Sequence, residues 1–217
     1  MPSSGKARTT AFPARRPVYY YVTDRHQLRP QNFRSRIRRL IDWGIDFIQL
    51  REKDLGDQEL FLLTREVVAL ARTTSCRVLV NGRADVALAA GAQGVHLPSG
   101  GLRADDLRPW LPDGFLVGVS VHSESEAVRA WTSGADYVLA GPVFATPSKT
   151  GMGPPLGLVG FSEICRSIPL PVLGLGGIDA GTVKAVLDAG AAGVAAIRLF
   201  QESSGADLER RRRFRTP

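Results

Sequence analysis

The hexapeptide Val117-Gly118-Val119-Ser120-Val121-His122 sets a β-branched apolar series against a small or polar one at a spacing of two. On a strand that spacing sends Val117, Val119 and Val121 to one face, and Gly118, Ser120 and His122 to the other. A face built of a glycine, a hydroxyl and an imidazole is unsuited to a dry core. It suits the wall of a pocket, with His122 at the C-terminal end of the strand, where an imidazole exchanges protons near neutral pH. His122 is therefore the candidate general acid/base. Of the other two histidines, His26 falls in a loop, and His96, inside an apolar strand, reads as a hydrogen-bonded structural residue.

Other polar groups follow short apolar runs in the same way. Gln49, Arg51, Glu52 and Lys53 follow one, Asn81 and Arg83 another, and Arg198 follows the last. The Gly/Pro-rich stretch 141–157 holds Thr146, Ser148 and Lys149 and has the composition of a lid. Gly174, Gly176 and Gly177 would let backbone N–H groups approach an anion. Cations after one strand, Lys149 on the lid and a glycine nest together point to an anionic substrate. Asp24, Glu52 and Asp85 are scattered along the chain, so no carboxylate cluster is expected to hold a divalent metal.

The elements that must position these residues repeat. Gly44-Ile-Asp, Gly91-Ala-Gln, Gly134-Ala-Asp and Gly190-Ala-Ala each close a helical pattern and open an apolar strand, as left-handed glycine caps do. Their spacing accommodates two βα units each. Eight strands are expected, near 18–23, 46–50, 77–81, 94–97, 115–121, 136–141, 171–175 and 192–197, with helical patterns between them, such as 60–71, 84–90, 124–131 and 182–189. Eight alternating units in 217 residues predict an α/β protein, a single-domain (βα)8 TIM barrel, with an open doubly wound sheet as the competing arrangement. In a barrel the chemistry belongs at the C-terminal ends of the strands, and phosphate commonly sits between the loops after strands seven and eight, here Gly176, Gly177 and Arg198.

The net charge of +7 resides in two ends: +4 in residues 1–17 and +3 in residues 207–217, leaving the body neutral. This distribution predicts a basic mobile tail over 1–17, a barrel over 18–204 and a basic tail or last-helix extension over 205–217. It argues against a nucleic-acid partner, since only Phe214 interleaves with the C-terminal arginines. Cys76 and Cys165 stand apart with no ligand spacing. With no apolar run of membrane-span or signal-peptide length, a soluble cytoplasmic protein is expected, with no membrane partner.

Over about residues 18–200 the chain resembles the thiamine phosphate synthase and thiazole tautomerase superfamily. The resemblance rests on Gln49-Leu50-Arg51-Glu52-Lys53, Asn81-Gly82-Arg83-Ala84-Asp85, Gly94-Val95-His96-Leu97, Gly118-Val119-Ser120-Val121-His122, Gly134-Ala135-Asp136-Tyr137, Gly141-Pro142-Val143-Phe144 and Gly176-Gly177-Ile178. It implies a phosphorylated thiazole as small-molecule partner, and a pairing of barrels into a homodimer is possible. It also implies substrate contacts at Gln49, Arg51, Lys53, Asn81, Ser120, Thr146, Ser148 and Lys149. Phosphate contacts are implied at Gly176, Gly177, Ile197 and Arg198.

The branches differ in chemistry. In the synthase the resemblance implies Mg²⁺ held by two aspartates that neutralise a diphosphate leaving group. Those positions are Gly82 and Gly101 here, and a Gly-Gln pair is replaced by Pro98-Ser99. Without its metal a departing diphosphate loses a large electrostatic stabilisation. The sequence is therefore read as closer to the tautomerase branch, whose members aromatise a carboxythiazole phosphate by a proton shift without metal or cofactor. On that reading His122 shuttles the proton, and Lys53 or Arg51 meets the carboxylate. Against it, residues 49–53 and 146–151 keep the synthase pattern, so coupling of a pyrimidine diphosphate to the thiazole phosphate is the alternative, with Mg²⁺ as its cofactor. A non-catalytic regulatory barrel that binds a phosphorylated ligand is the reading from another class.

Overall fold

The computed structural model describes residues 12, 17–28, 32–146 and 153–204. Eight parallel strands close into a barrel in sequence order. They are β1 (Val18–Val22), β2 (Phe47–Leu50), β3 (Arg77–Asn81), β4 (Gly94–Leu97), β5 (Leu116–Val121), β6 (Tyr137–Ala140), β7 (Val172–Leu175) and β8 (Gly193–Ala196). The helices are α1 (Phe33–Trp43), α2 (Asp57–Ala71), α3 (Ala84–Ala89), α4 (Ala104–Leu107), α5 (Glu124–Thr132), α6 (Gly157–Ser167), α7 (Val183–Asp188) and α8 (Arg198–Gln201). The expected TIM barrel is what forms. Pairing of β1 with β8, from Val18 opposite Gly193 to Tyr21 opposite Ala196, rules out the open sheet. Among the described residues no helix is long and apolar enough to cross a membrane.

The repeated glycines do what their spacing predicted. Gly44, Gly91, Gly134 and Gly190 all have positive φ and lead straight into β2, β4, β6 and β8. Two residues after the first three of them, a side chain reaches back to the preceding strand. Asp46 Oδ2 accepts from Tyr19 N at 2.9 Å, Gln93 Oε1 from Val78 N at 2.9 Å and Asp136 Oδ2 from Val117 N at 2.7 Å. Each ties the N-terminal end of β1, β3 or β5 to its successor; where an ionised carboxylate accepts, the bond contributes about 1.5–3 kcal/mol. Ala192 holds the fourth such position and contributes only its backbone, N to Val172 O at 2.8 Å.

Alternation divides the core into two layers. Tyr19 and Tyr21 point outward, where Tyr19 meets the rings of Trp43 and Phe200 and Tyr21 that of Phe200. Tyr20 points inward with Phe47, Leu79, Leu116, Tyr137, Leu139 and Leu173, which fill the barrel. Side chains, not a channel, occupy the interior.

One interior residue comes from outside the barrel. Phe12, 7% exposed, stacks on Phe47 with centroids 5.2 Å apart and lies 5.5 Å from the Tyr137 ring. Phe47 and Tyr137 open their strands, so Phe12 sits at the N-terminal mouth. This corrects the expected mobile tail at one residue: a ring that finds two aromatic faces at an open barrel end gains more from burial than from solvation. Residues 1–11, 13–16 and 205–217, the rest of both expected tails, lie outside the described residues.

Candidate active site

A cavity of about 560 Å³ opens at the C-terminal ends of the strands. The residues singled out from sequence gather around it. Gln49 comes from the end of β2 and Asn81 from the end of β3. Ser120 and His122 come from β5 and the position after it, Thr146 from the loop after β6, Gly176 and Gly177 from the loop after β7, and Ile197 and Arg198 from the start of α8. Arg51 and Lys53 line the same cavity from the loop after β2. Ser148 and Lys149 lie outside the described residues.

His122 is held by its neighbours. Its backbone N donates to Glu126 Oε2 at 2.7 Å, and its ring Nδ1 makes a close contact with the Gly141 carbonyl oxygen. A carbonyl only accepts, so Nδ1 carries the proton and Nε2 is left as the basic nitrogen.

The run after β2 sorts its charges. Glu52 is 5% exposed, and its Oε2 accepts from Arg25 N at 3.1 Å and Arg25 Nη1 at 3.2 Å. Arg25 also grips Asp54, Nη1 to Oδ1 at 2.7 Å. The acids of this loop are thus taken by Arg25, and among the described residues Arg51 and Lys53 have no ion pair. Both cations face the cavity with their charge available to a ligand.

The floor is a buried hydrogen-bond chain. Gln49 Nε2 donates to Tyr20 Oη at 3.0 Å, Tyr20 Oη lies 2.9 Å from Tyr137 Oη, Tyr137 Oη 3.2 Å from His96 Nδ1, and His96 Nε2 2.8 Å from Ser120 Oγ. Burial pushes both phenols up and lowers the His96 imidazole to about 3, with the Arg51 charge adding to the second effect. Gly118 makes room for this chain: a Cβ there would stand 2.1 Å from Tyr137 Cζ. His96 lines the cavity, 1% exposed. Sequence reading gave it only a structural part. Its two hydrogen bonds agree with that part, and its register on β4, opposite Gly118 on β5, puts it on the inward face.

Gly176 and Gly177 have φ of 95° and 66°. Cβ atoms on them would stand 2.7 Å from Pro142 Cβ and from Phe144 Cβ. Left-handed backbone and close approach together require glycine at both positions.

Where the synthase resemblance implies two metal-binding aspartates, the chain has Gly82 and Gly101. Gly82 has φ +70°, and its Cβ would look at Pro98 Cδ from 4.0 Å. A Cβ on Gly101 would meet Pro98 O at 3.2 Å and Pro98 Cγ at 3.3 Å. The Pro98 ring therefore lies between them, a hydrocarbon where two carboxylates would converge. Nearby acids are engaged: Asp24 accepts from His26 N and Gln27 Nε2, Glu126 from His122 N and Ser99 Oγ, and Asp85 from Arg83. Among the described residues no three His, Cys, Asp or Glu side chains group to hold a metal. These residues do not fit a carboxylate-bound Mg²⁺.

Known proteins carry the same frame. The family profile described as thiamine monophosphate synthase matches residues 19–200. The chain belongs to that family. A putative thiamine-phosphate synthase of Geobacter sulfurreducens is 42% identical over 178 residues, 82% of this chain and 84% of that protein. The thiamine-phosphate synthase of Methanoregula boonei is 46% identical over 154 residues, 71% of each. Among solved structures, thiamine phosphate pyrophosphorylase from Pyrococcus furiosus superposes with a TM-score of 0.81 at 30% identity, covering 91% of this chain and 94% of that one.

Proposed function

We propose that the protein is an enzyme of thiamine biosynthesis that binds a phosphorylated thiazole in the C-terminal cavity and aromatises it by a metal-independent proton shift, the thiazole tautomerase reaction. The observation that carries this reading is the pair Gly82 and Gly101 with the Pro98 ring between them, where a metal-assisted diphosphate departure would need carboxylates. The phosphate ester sits against the loops bearing Gly176, Gly177, Ile197 and Arg198. Arg51 and Lys53 meet the substrate carboxylate. His122 Nε2 takes the ring proton and returns it to the exocyclic carbon, so that atoms and charge balance with no oxidant and no leaving group. Gln49, Asn81, Ser120, Thr146, Ser148 and Lys149 are assigned to positioning the substrate.

The second reading is the synthase reaction, which joins a pyrimidine diphosphate to the thiazole phosphate. Kinship backs it better than it backs the proton shift, because the relatives bear the synthase name. The run from Gln49 to Lys53 supports it as well. One experiment separates the two: both reactions are assayed with and without Mg²⁺ and a chelator. Aromatisation indifferent to chelator, without thiamine phosphate, is the expected outcome. Metal-dependent thiamine phosphate formation would establish the synthase instead. In the active reaction His122→Ala is expected to lower turnover about 10²-fold or more while a phosphate ester still binds; near-wild-type turnover would remove His122 from its role. Ligand binding with neither activity would leave the regulatory reading.

A further inference from the structure

Ser120 reaches the cavity two residues before His122 on the same strand face, and its oxygen is bonded from behind by His96. Whether Ser120 gives or receives a hydrogen bond in the cavity depends on what His96 does to it. His96 in turn has both ring nitrogens engaged, by Tyr137 and by Ser120. A neutral imidazole has one donor and one acceptor, so the two contacts must run in opposite senses.

The sense is set at the far end. The group that Gln49 presents to Tyr20 is its amide nitrogen, which only donates. Tyr20 Oη accepts there and spends its own proton on Tyr137 Oη. Tyr137 then spends its proton on His96 Nδ1, and His96 donates from Nε2 to Ser120 Oγ. With its oxygen already accepting, Ser120 has a hydrogen left to direct into the cavity.

We propose that the chain from Gln49 through Tyr20, Tyr137 and His96 has one fixed polarity, which presents the Ser120 hydroxyl to the substrate as a hydrogen-bond donor. Tyr20, Tyr137 and His96 are positioning residues that act through Ser120. The donor faces charge that develops on the substrate as His122 works, in a setting where it need not reorient. Because burial keeps His96 and both tyrosines neutral near pH 7, the chain transmits hydrogen-bond direction and no net charge. Gly118 belongs to the same device, since only a residue without a side chain admits the Tyr137 ring. The inference rests on the proposed cavity chemistry for its catalytic consequence, but the polarity itself does not depend on which reaction is catalysed.

Two measurements test it. The first is the tautomer of His96, read from the ¹⁵N shifts of the two ring nitrogens in histidine-labelled protein without ligand, with His96→Gln used to assign the signals. Protonated Nε2 and bare Nδ1 are expected; a proton on Nδ1 reverses the chain and overturns the proposal. This readout needs no turnover, so it decides the polarity even if neither proposed reaction is found. The second is a double-mutant cycle in the reaction the protein turns over. Tyr137→Phe is expected to lower kcat about tenfold with little change in KM, and to have almost no further effect in a Ser120→Ala background. Tyr20→Phe is expected to cost less than Tyr137→Phe, because Tyr137 keeps its bond to His96. Equal losses from Tyr137→Phe in both backgrounds would mean that the phenol acts through general packing, and would overturn the proposal.

Discussion

Phe12→Ala isolates the end of the barrel that carries no chemistry. The ring is 7% exposed and sits in stacking range of Phe47 and Tyr137, which themselves fill the interior. Truncating a buried phenylalanine costs about 3–5 kcal/mol, the larger figures coming from cavities that cannot relax. Here the void opens at the barrel mouth and water can enter it, which places the expected loss near about 3 kcal/mol. For a domain of this size each kcal/mol moves Tm by about 2–4 °C, so the variant should melt about 6–12 °C below the parent. Phe12 is not among the residues that line the substrate cavity, so KM should stay within about twofold of the parent, whereas kcat also reports any shift of the Tyr137 ring on which Phe12 packs. Differential scanning calorimetry and the activity assay, run on Phe12→Ala and on Phe12→Leu as a smaller apolar truncation, decide the matter. A melting temperature within about 1 °C of the parent would refute the seating of Phe12. A large rise in KM at unchanged fold would refute the separation of Phe12 from the substrate cavity.

Further outcomes follow from buried groups and tight approaches. Burial holds the folded His96 near 3 while the unfolded chain takes up its proton near the ordinary 6.5, so its contribution is complete above pH 6.5 and is lost as pH falls toward 3. Between pH 6.5 and 5 this amounts to about 2 kcal/mol, and urea titrations should show His96→Gln with a correspondingly shallower acid dependence; parallel curves would contradict it. Gly118→Ala forces a methyl against Tyr137 Cζ, and chemical denaturation should record a loss of about 3 kcal/mol or an unfolded product. Gly177→Ala combines φ +66° with a 2.7 Å approach to Phe144, and calorimetry should find thiazole phosphate binding weakened about tenfold or more, against a stability loss of about 1–3 kcal/mol.

What the sequence disclosed followed from local rules. Glycine caps recur because each helix must hand over to a strand in the same geometry, so the four glycine motifs located β2, β4, β6 and β8, and every strand fell within one residue of its expected place. The cavity residues were legible because strand ends converge in a barrel, whatever the side chains are. The four-residue helices α4 and α8 were not, since one turn gives no periodicity to read. The hydrogen-bonded character of His96 was legible from its place in an apolar strand, but its partners, Tyr137 and Ser120, were not, since they lie 41 and 24 residues away along the chain. Phe12 gave no signal at all: a lone aromatic among basic residues finds its stacking partners only once the barrel exists. The cations after β2 were legible as a site for an anion, but not what becomes of the acids beside them, which are claimed by Arg25 from another loop.

The seam between β1 and β8 sets a timetable for the molecule. The first strand of the barrel to be synthesised is the last to gain its second neighbour, and the bond from Gln201 to Tyr21 that helps lock the seam joins residues 180 apart. At about 5–20 residues per second the outer edge of β1 waits roughly ten to forty seconds for its partner. Throughout that interval the nascent sheet has two open edges, both able to pair with a neighbouring chain. Closure is therefore a late, long-range event, and chains that have made seven strands but not the eighth still carry both open edges.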